Sequence, residues 1–298
     1  MSLARWAFNI RQPLLLENVE PLVTSLTDDA NGRRIIVPVS NLLNYLPKSD
    51  TDGLLQFRLE DDMRRALIGR LMMYAFFTAH HNCQWGELVF DVSESTKPIL
   101  LLPERLKNVS FNISHHGDWV ILVGETEASL HSPVLLGVDV IDFQAPEVSF
   151  KSFSSCLQDQ FTPKEMTFME AATESSGPCT ENQLRRFYRL WCLKESIINA
   201  LDVRSNFDLK TIEFTIQDEE ETEMPILSTV IAVHDPKPEL LPEEGWSFEE
   251  ALLDSDHCYA IAAQSVMETS ILDGSEIRRF DWKELLKDAV PYPIQSSA

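Results

Sequence analysis

Positive charge is what this chain has least of. Its 298 residues carry 25 Lys and Arg against 47 Asp and Glu, a formal net charge of −22. That balance excludes the broad cationic surface on which nucleic-acid binding depends. A phosphate-bearing ligand must then find a local cationic pocket. Cysteine is sparse as well: Cys83, Cys156, Cys179, Cys192 and Cys258 are odd in number, widely spread and form no CxxC pair. This points away from a disulfide framework or a zinc finger and toward a reducing, cytoplasmic compartment. There is no run of about 18 apolar residues, and Arg5, Asn9 and Arg11 interrupt the first apolar stretch, so neither a membrane anchor nor a secretory signal is expected. The motifs GxxxxGKS/T, GxGxxG, HExxH and GxSxG are missing too, which argues against P-loop nucleotide hydrolases, Rossmann enzymes and zincins.

What is present is a folding chain, 44% hydrophobic and 9% aromatic, about twice the usual domain size. Strands are expected at 3–10 and 34–39, then a helix over 60–82 with Glu60, Asp61 and Asp62 at its start and Met63, Leu67, Leu71, Tyr74 and Phe77 on one face. Short strands follow at 87–92 and 99–102, and two more at 109–113 and 119–124 joined by the loop SHHGD. After a strand within HSPVLLGVDVIDF, helical spacing covers 151–174, with FTPKE as a Pro-initiated start. A longer helix covers 181–202, its stripe of Phe187, Leu190, Trp191, Ile197, Ile198 and Leu201 interrupted by Lys194. Strands at 210–216, 225–233, 247–252 and 257–263 read as a meander, the acidic stretches 218–223 and 239–250 as solvated loops or edges, and the last 30 residues as an unpatterned tail.

Three segments ask for more than packing. FNISHHGDW sets Asn112, Ser114, His115, His116 and Asp118 in a tight turn, suited either to a phosphate loop or to a plain hairpin. GVDVID places Asp139 inside an apolar strand, where a carboxylate needs a metal, a cation or several donors. In FYRLWCLKESIINALD, Glu195 leaves the helix from a largely apolar face. A helix-borne Glu195 and a strand-borne Asp139 can together hold Mg²⁺; the alternative is a buried Glu195 paired with Arg189 or Lys194.

With FNISHHGDW, LGVDV and FYRLWCLKES in this order, supported by RWAF, ALIGRL, TKP and FTPKE, the chain resembles the Sfp-type 4′-phosphopantetheinyl transferases, most of all the animal aminoadipate-semialdehyde-dehydrogenase type. The resemblance spans about 5–201. It implies an α+β fold of two pseudo-symmetric halves, each a small sheet packed with a long helix. We expect these at 1–130 and 131–268, with a tail at 269–298. It implies coenzyme A in the cleft between the halves, Mg²⁺ or Mn²⁺ held by Asp139 and Glu195, and Glu195 as the base that takes the proton of a carrier-protein serine. Asn112, Ser114 and His115 would meet the nucleotide end with its 3′-phosphate, Lys97 and Lys194 would bind phosphates, and Asn199 would face the same site. The expected partners are coenzyme A and apo acyl or peptidyl carrier domains, and the expected state is a monomer.

The pattern also departs from the family. Ile141 stands where many bacterial relatives have an acid, so water would complete the metal shell. Asn199 replaces a common lysine, Gly53 an arginine, and VSESTKP with Ser95 a more basic loop, while His116 replaces Gln. These losses suggest the alternative of a degenerate member that binds coenzyme A or a carrier without catalysis. A hydrolase built on Ser114, His115 or His116 and Asp139 is disfavoured, since neighbouring side chains on a strand point to opposite faces.

Overall fold

Alternate residues of the first strand, Leu3–Asn9 (β1), enter two different cores. Trp6 and Phe8 pack with the long helix Glu60–His80, while Leu3 and Ala7 pack with a second sheet. A strand buried on both faces thereby sets the layering of the whole molecule. The computed structural model describes residues 2–13, 23–28, 34–39, 41–93, 97–127, 134–143, 158–170, 180–203, 207–216, 225–227, 229–234, 241–242, 244–265 and 271–292.

The first half continues with the hairpin Val23–Asp28 (β2) and Arg34–Val39 (β3), the short helix Lys48–Leu54 (α1) and Glu60–His80 (α2). Next come the hairpin Val89–Val92 (β4) and Pro98–Leu102 (β5), then Phe111–His116 (β6) and Trp119–Glu125 (β7). The second half runs Leu135–Asp142 (β8), Pro163–Glu170 (α3), Glu181–Leu201 (α4), the hairpin Ile212–Thr215 (β9) and Val230–Val233 (β10), then Trp246–Leu252 (β11) and His257–Gln264 (β12). The main sheets are ordered β1-β7-β6 and β8-β12-β11, each antiparallel. In both, the first strand of the half pairs with its last strand, which pairs in turn with the strand before it. The expected pseudo-symmetric α+β architecture is therefore visible in the strand order. The two sheets pack face to face, with α2 outside the first and α4 outside the second, giving four layers.

Both long helices match their expected spans within two residues, because each carries sequence-coded ends: three acids in the first turn of α2, and in α4 a Thr180–Gln183 capping box with left-handed Asp202 closing the helix. Other expectations need correction. The four late strands do not form one meander: β9 and β10 stand apart, and β11 and β12 join β8. The helix expected at 151–174 is observed at Pro163–Glu170; 151–157 and 171–174 lie outside the described residues, as do 218–223.

The end of the Glu-rich stretch is not a solvated edge. Glu249 and Glu250 sit in β11 and are buried; Glu249 pairs with Arg5 of β1 at 2.9 Å, and Glu250 with Arg189 of α4 at 2.9 Å. Charge alone gave no sign of this, since the partners lie 244 and 61 residues away in the chain. The tail is built in as well. Arg278–Arg279 (β13) adds to β1 in parallel, Phe280 lies 4.2 Å from Trp6 between ring centroids, and Trp282, opening the short helix Trp282–Leu285 (α5), lies 4.8 Å from Phe8. Its anchors are too few and too irregular to register as a period.

Candidate functional site

Strand β6 decides the local geometry. The loop expected as SHHGD shrinks to Gly117 and Asp118, and the strand runs on through His116. Gly117 has a φ of +52°, and a Cβ there would meet the His257 ring, so this tight turn accepts glycine alone. With the strand extended, Asn112, Ser114 and His116 fall at steps of two and all reach toward β8. Asn112 Oδ1 accepts from Val138 N–H at 2.8 Å, His116 Nδ1 accepts from Asp142 N–H at 2.9 Å, and Ser114 Oγ donates to Asp139 Oδ1 at 2.9 Å. Side chains from one half thus stitch it to the strand of the other.

On β8, Leu136, Val138 and Val140 face the first sheet, which turns Asp139 toward α4. Strand and helix approach closely there because residue 137 is glycine: a Cβ would collide with the backbone of Ser196 and Ala200. Beside the α4 turn that carries Glu195 opens a cleft of about 600 Å³, walled by α2, β6, β8 and α4. Asp139 accepts a hydrogen bond from Ser114, and the nearby Cys192 thiol and Val140 amide also favour its charged form. Burial still pushes its pKa up to about 7, and the charge of Glu195 adds to that rise. Burial also raises the Glu195 carboxyl.

Among the described residues neither Asp139 nor Glu195 forms an ion pair. Arg189 is taken by Glu250 and Lys194 by Glu165, so the bland reading of Glu195 fails. Two neighbouring carboxylates, partly desolvated and without an ion-pair partner at the wall of an open cleft, fit an oxygen-seeking divalent cation. Among the described residues there is no cluster of three or more metal-ligating side chains. Such a cation would draw its other ligands from water and substrate.

The remaining expected residues divide. His115 lines the cleft on the α2 side, its imidazole pKa lowered by burial and by Arg65. Lys97 lines it too, its Nζ donating to the carbonyls of Asn199 (2.9 Å) and Leu136 (3.2 Å); burial pushes its pKa down to about 8. Asn199 lines the cleft while its Nδ2 donates to Val138 O at 3.0 Å.

Lys194 is a correction. Fully buried, it donates to Leu209 O and Ile212 O, both at 2.8 Å, and pairs with Glu165 at 2.9 Å, so its donors are consumed away from the cleft. Gly53 faces open space in α1 and does not line the cleft. Ser95 lies outside the described residues. Ser114 offers its proton to Asp139 rather than to a histidine, which removes the hydrolase arrangement.

Sequence reasoning missed two cations. Arg65 and Arg70 enter the cleft from α2 together with Ala66, Gly69 and Met73. Their helical spacing places them on one face, which the acidic start and the apolar stripe of this helix do not single out. In a chain of net charge −22, the cleft therefore gathers Arg65, Arg70 and Lys97 opposite Asp139 and Glu195.

Comparison with known proteins gives two family matches, one on each side of 128–134. Residues 38–127 match the model described as 4′-phosphopantetheinyl transferase, N-terminal, and residues 135–253 that of the 4′-phosphopantetheinyl transferase superfamily. The chain is 28% identical over 242 residues to a phosphopantetheinyl transferase of Thraustochytrium, covering 80% of this chain and 76% of that protein. It is 27% identical over 252 residues to the mouse L-aminoadipate-semialdehyde dehydrogenase-phosphopantetheinyl transferase, covering 79% and 76%. To the Xenopus laevis protein of the same name it is 29% identical over 215 residues, covering 70% of this chain and 65% of the relative.

Proposed function

The chain belongs to the 4′-phosphopantetheinyl transferase superfamily and is an enzyme of that class; from that premise we propose that it moves the 4′-phosphopantetheine arm of coenzyme A onto a serine of apo acyl or peptidyl carrier domains. The carrier serine oxygen attacks the β-phosphorus, the pyrophosphate bond breaks, and adenosine 3′,5′-bisphosphate leaves. Mg²⁺, or Mn²⁺ in its place, held by Asp139 and Glu195, supplies neutralisation of the pyrophosphate charge. Glu195, its proton affinity raised by burial, takes the serine proton. Arg65, Arg70 and Lys97 attract and orient the phosphates, and His115 meets the nucleotide end. Such transfer asks the protein mainly for position and charge, which this cleft offers.

The observation that carries this reading is the meeting, in one cleft on an otherwise acidic chain, of a cationic rim with two part-buried carboxylates that form no ion pair among the described residues. The halves 1–130 and 131–268, a monomeric state and a cytoplasmic location belong to the same proposal. No helix among the described residues is long and apolar enough to cross a membrane. Incubation of an apo carrier protein with this chain, coenzyme A and Mg²⁺, read by mass spectrometry, should show the carrier gaining one phosphopantetheine. An unmodified carrier together with calorimetric coenzyme A binding would instead support the non-catalytic reading, which the cation-free positions Gly53 and Asn199 favour.

A further inference from the structure

We propose that Ser114 is a positioning residue for Asp139, one that fixes the carboxylate for metal binding through a contact made across the two halves. The inference rests on the reading of Asp139 as a metal ligand. Of the three side chains that β6 extends toward β8, Asn112 and His116 end on backbone amides, and Ser114 alone ends on a side chain. Those two ties lock the seam on either side of Ser114, so the hydroxyl meets Asp139 Oδ1 at 2.9 Å without freedom to drift. The Cys192 thiol, one helical turn before Glu195, lies near the same carboxylate from the α4 side. A carboxylate held by a donor at one side keeps its other lone pairs directed into the cleft. It pays less rotational entropy on taking a cation, and partners of this kind are worth roughly ten- to a hundred-fold in metal affinity.

This role competes with a direct contact between Ser114 and the nucleotide 3′-phosphate, and the two are separable. In the full chain without coenzyme A, Mn²⁺ binding followed by electron paramagnetic resonance should weaken about ten-fold in Ser114→Ala. It should stay near the wild-type value in Ser114→Thr and vanish in Asp139→Ala. If alanine disturbs the seam, Ser114→Thr against Ser114→Val makes the same comparison on one β-branched frame. In transfer assays the Mn²⁺ concentration giving half-maximal rate should rise by the same factor with coenzyme A and with its 3′-dephospho form. Mn²⁺ affinity unchanged in Ser114→Ala but lost in Asp139→Ala would overturn this proposal and leave the metal reading standing. A deficit seen only with the 3′-phosphorylated coenzyme would overturn it as well, and unchanged binding in Asp139→Ala would overturn both readings.

Discussion

Lys194 and Glu165 form an ion pair of 2.9 Å in which neither side chain keeps any solvent exposure. Glu165 also accepts from Phe214 N–H at 2.9 Å and Thr162 N–H at 2.8 Å, while Lys194 satisfies two carbonyls. The pair joins α3, α4 and the start of β9, so the lysine of WCLKE and the glutamate of FTPKE serve the second core.

Removing one member of a buried, fully bonded pair strands the other, which costs roughly 3–5 kcal/mol. Lys194→Met should lose about that much in urea unfolding, and Lys194→Met with Glu165→Gln should lose less than Lys194→Met alone. The folded fraction of Lys194→Met should bind coenzyme A as the wild type does. A selective loss of coenzyme A affinity at unchanged stability would return Lys194 to the cleft.

Asp139 and Glu195 should separate stability from activity. With no cation bound, Asp139 is desolvated and lies within reach of the Glu195 charge, both unfavourable to its ionised form. Asp139→Asn should therefore leave the metal-free melting temperature equal or higher, abolish transfer, and erase the rise in melting temperature that Mg²⁺ gives the wild type. Glu195→Gln should also abolish transfer. Wild-type rates in either variant at saturating Mg²⁺ would refute the mechanism.

Gly137 tests whether the strand-to-helix distance matters in itself. Alanine there would press on the Ser196 carbonyl and the Ala200 amide, which are backbone and cannot rotate away. Overpacking of this kind costs roughly 1–3 kcal/mol. Because the same displacement moves Asp139 away from Glu195, transfer measured well below the melting temperature should fall further than stability does. Intact transfer in a destabilised Gly137→Ala protein would show that the two carboxylates tolerate separation.

What the sequence disclosed and what it hid follow one physical rule. The two long helices and Asp139 were legible because each is written locally, in acidic or capped ends, in period-3.6 stripes, or in a charge set inside an apolar run. Lys194 was misplaced because a lysine on an apolar stripe looks the same whether it faces a cleft or a buried Glu165 29 positions earlier. Glu249 and Glu250 failed for the same reason, their partners Arg5 and Arg189 being distant in sequence. Arg65 and Arg70 were passed over because a helix start rich in charge gives no sign of which members turn inward.

Lys97 should give the cleft a pH signature. Its ammonium is lowered to about 8 by burial, so it is charged below that pH and neutral above it. A phosphate contact needs the charged form. Coenzyme A affinity should fall as pH rises from about 7.5 to 9.5, and Lys97→Met should bind more weakly at pH 7.5 but lose less over the same interval. Parallel pH profiles for the two proteins, measured by calorimetry, would separate Lys97 from the phosphates.

The cations on α2 bear on whether the chain works at all, since the basic residues missing at Gly53 and Asn199 need a replacement. Arg70 lines the cleft half-buried, and its Asp50 partner is distant at 3.9 Å, with the Asp50 carboxyl shifted upward by burial. A guanidinium so loosely held can turn both arms of its fork to a phosphate at little cost. Charge-assisted hydrogen bonds are worth about 1.5–3 kcal/mol, so Arg70→Ala should weaken coenzyme A binding by roughly 10- to 150-fold at low salt. Arg70→Lys should recover only part, a point charge lacking the two-pronged geometry. Raising ionic strength should narrow the gap between wild type and Arg70→Ala, because the lost contact is electrostatic. Arg65 is tied to Asp62 and to the Gly117 carbonyl, so Arg65→Ala should cost less than Arg70→Ala. If Arg70→Ala binds coenzyme A as tightly as the wild type at low salt, the cations of α2 do not replace the missing ones and the phosphates lie elsewhere in the cleft.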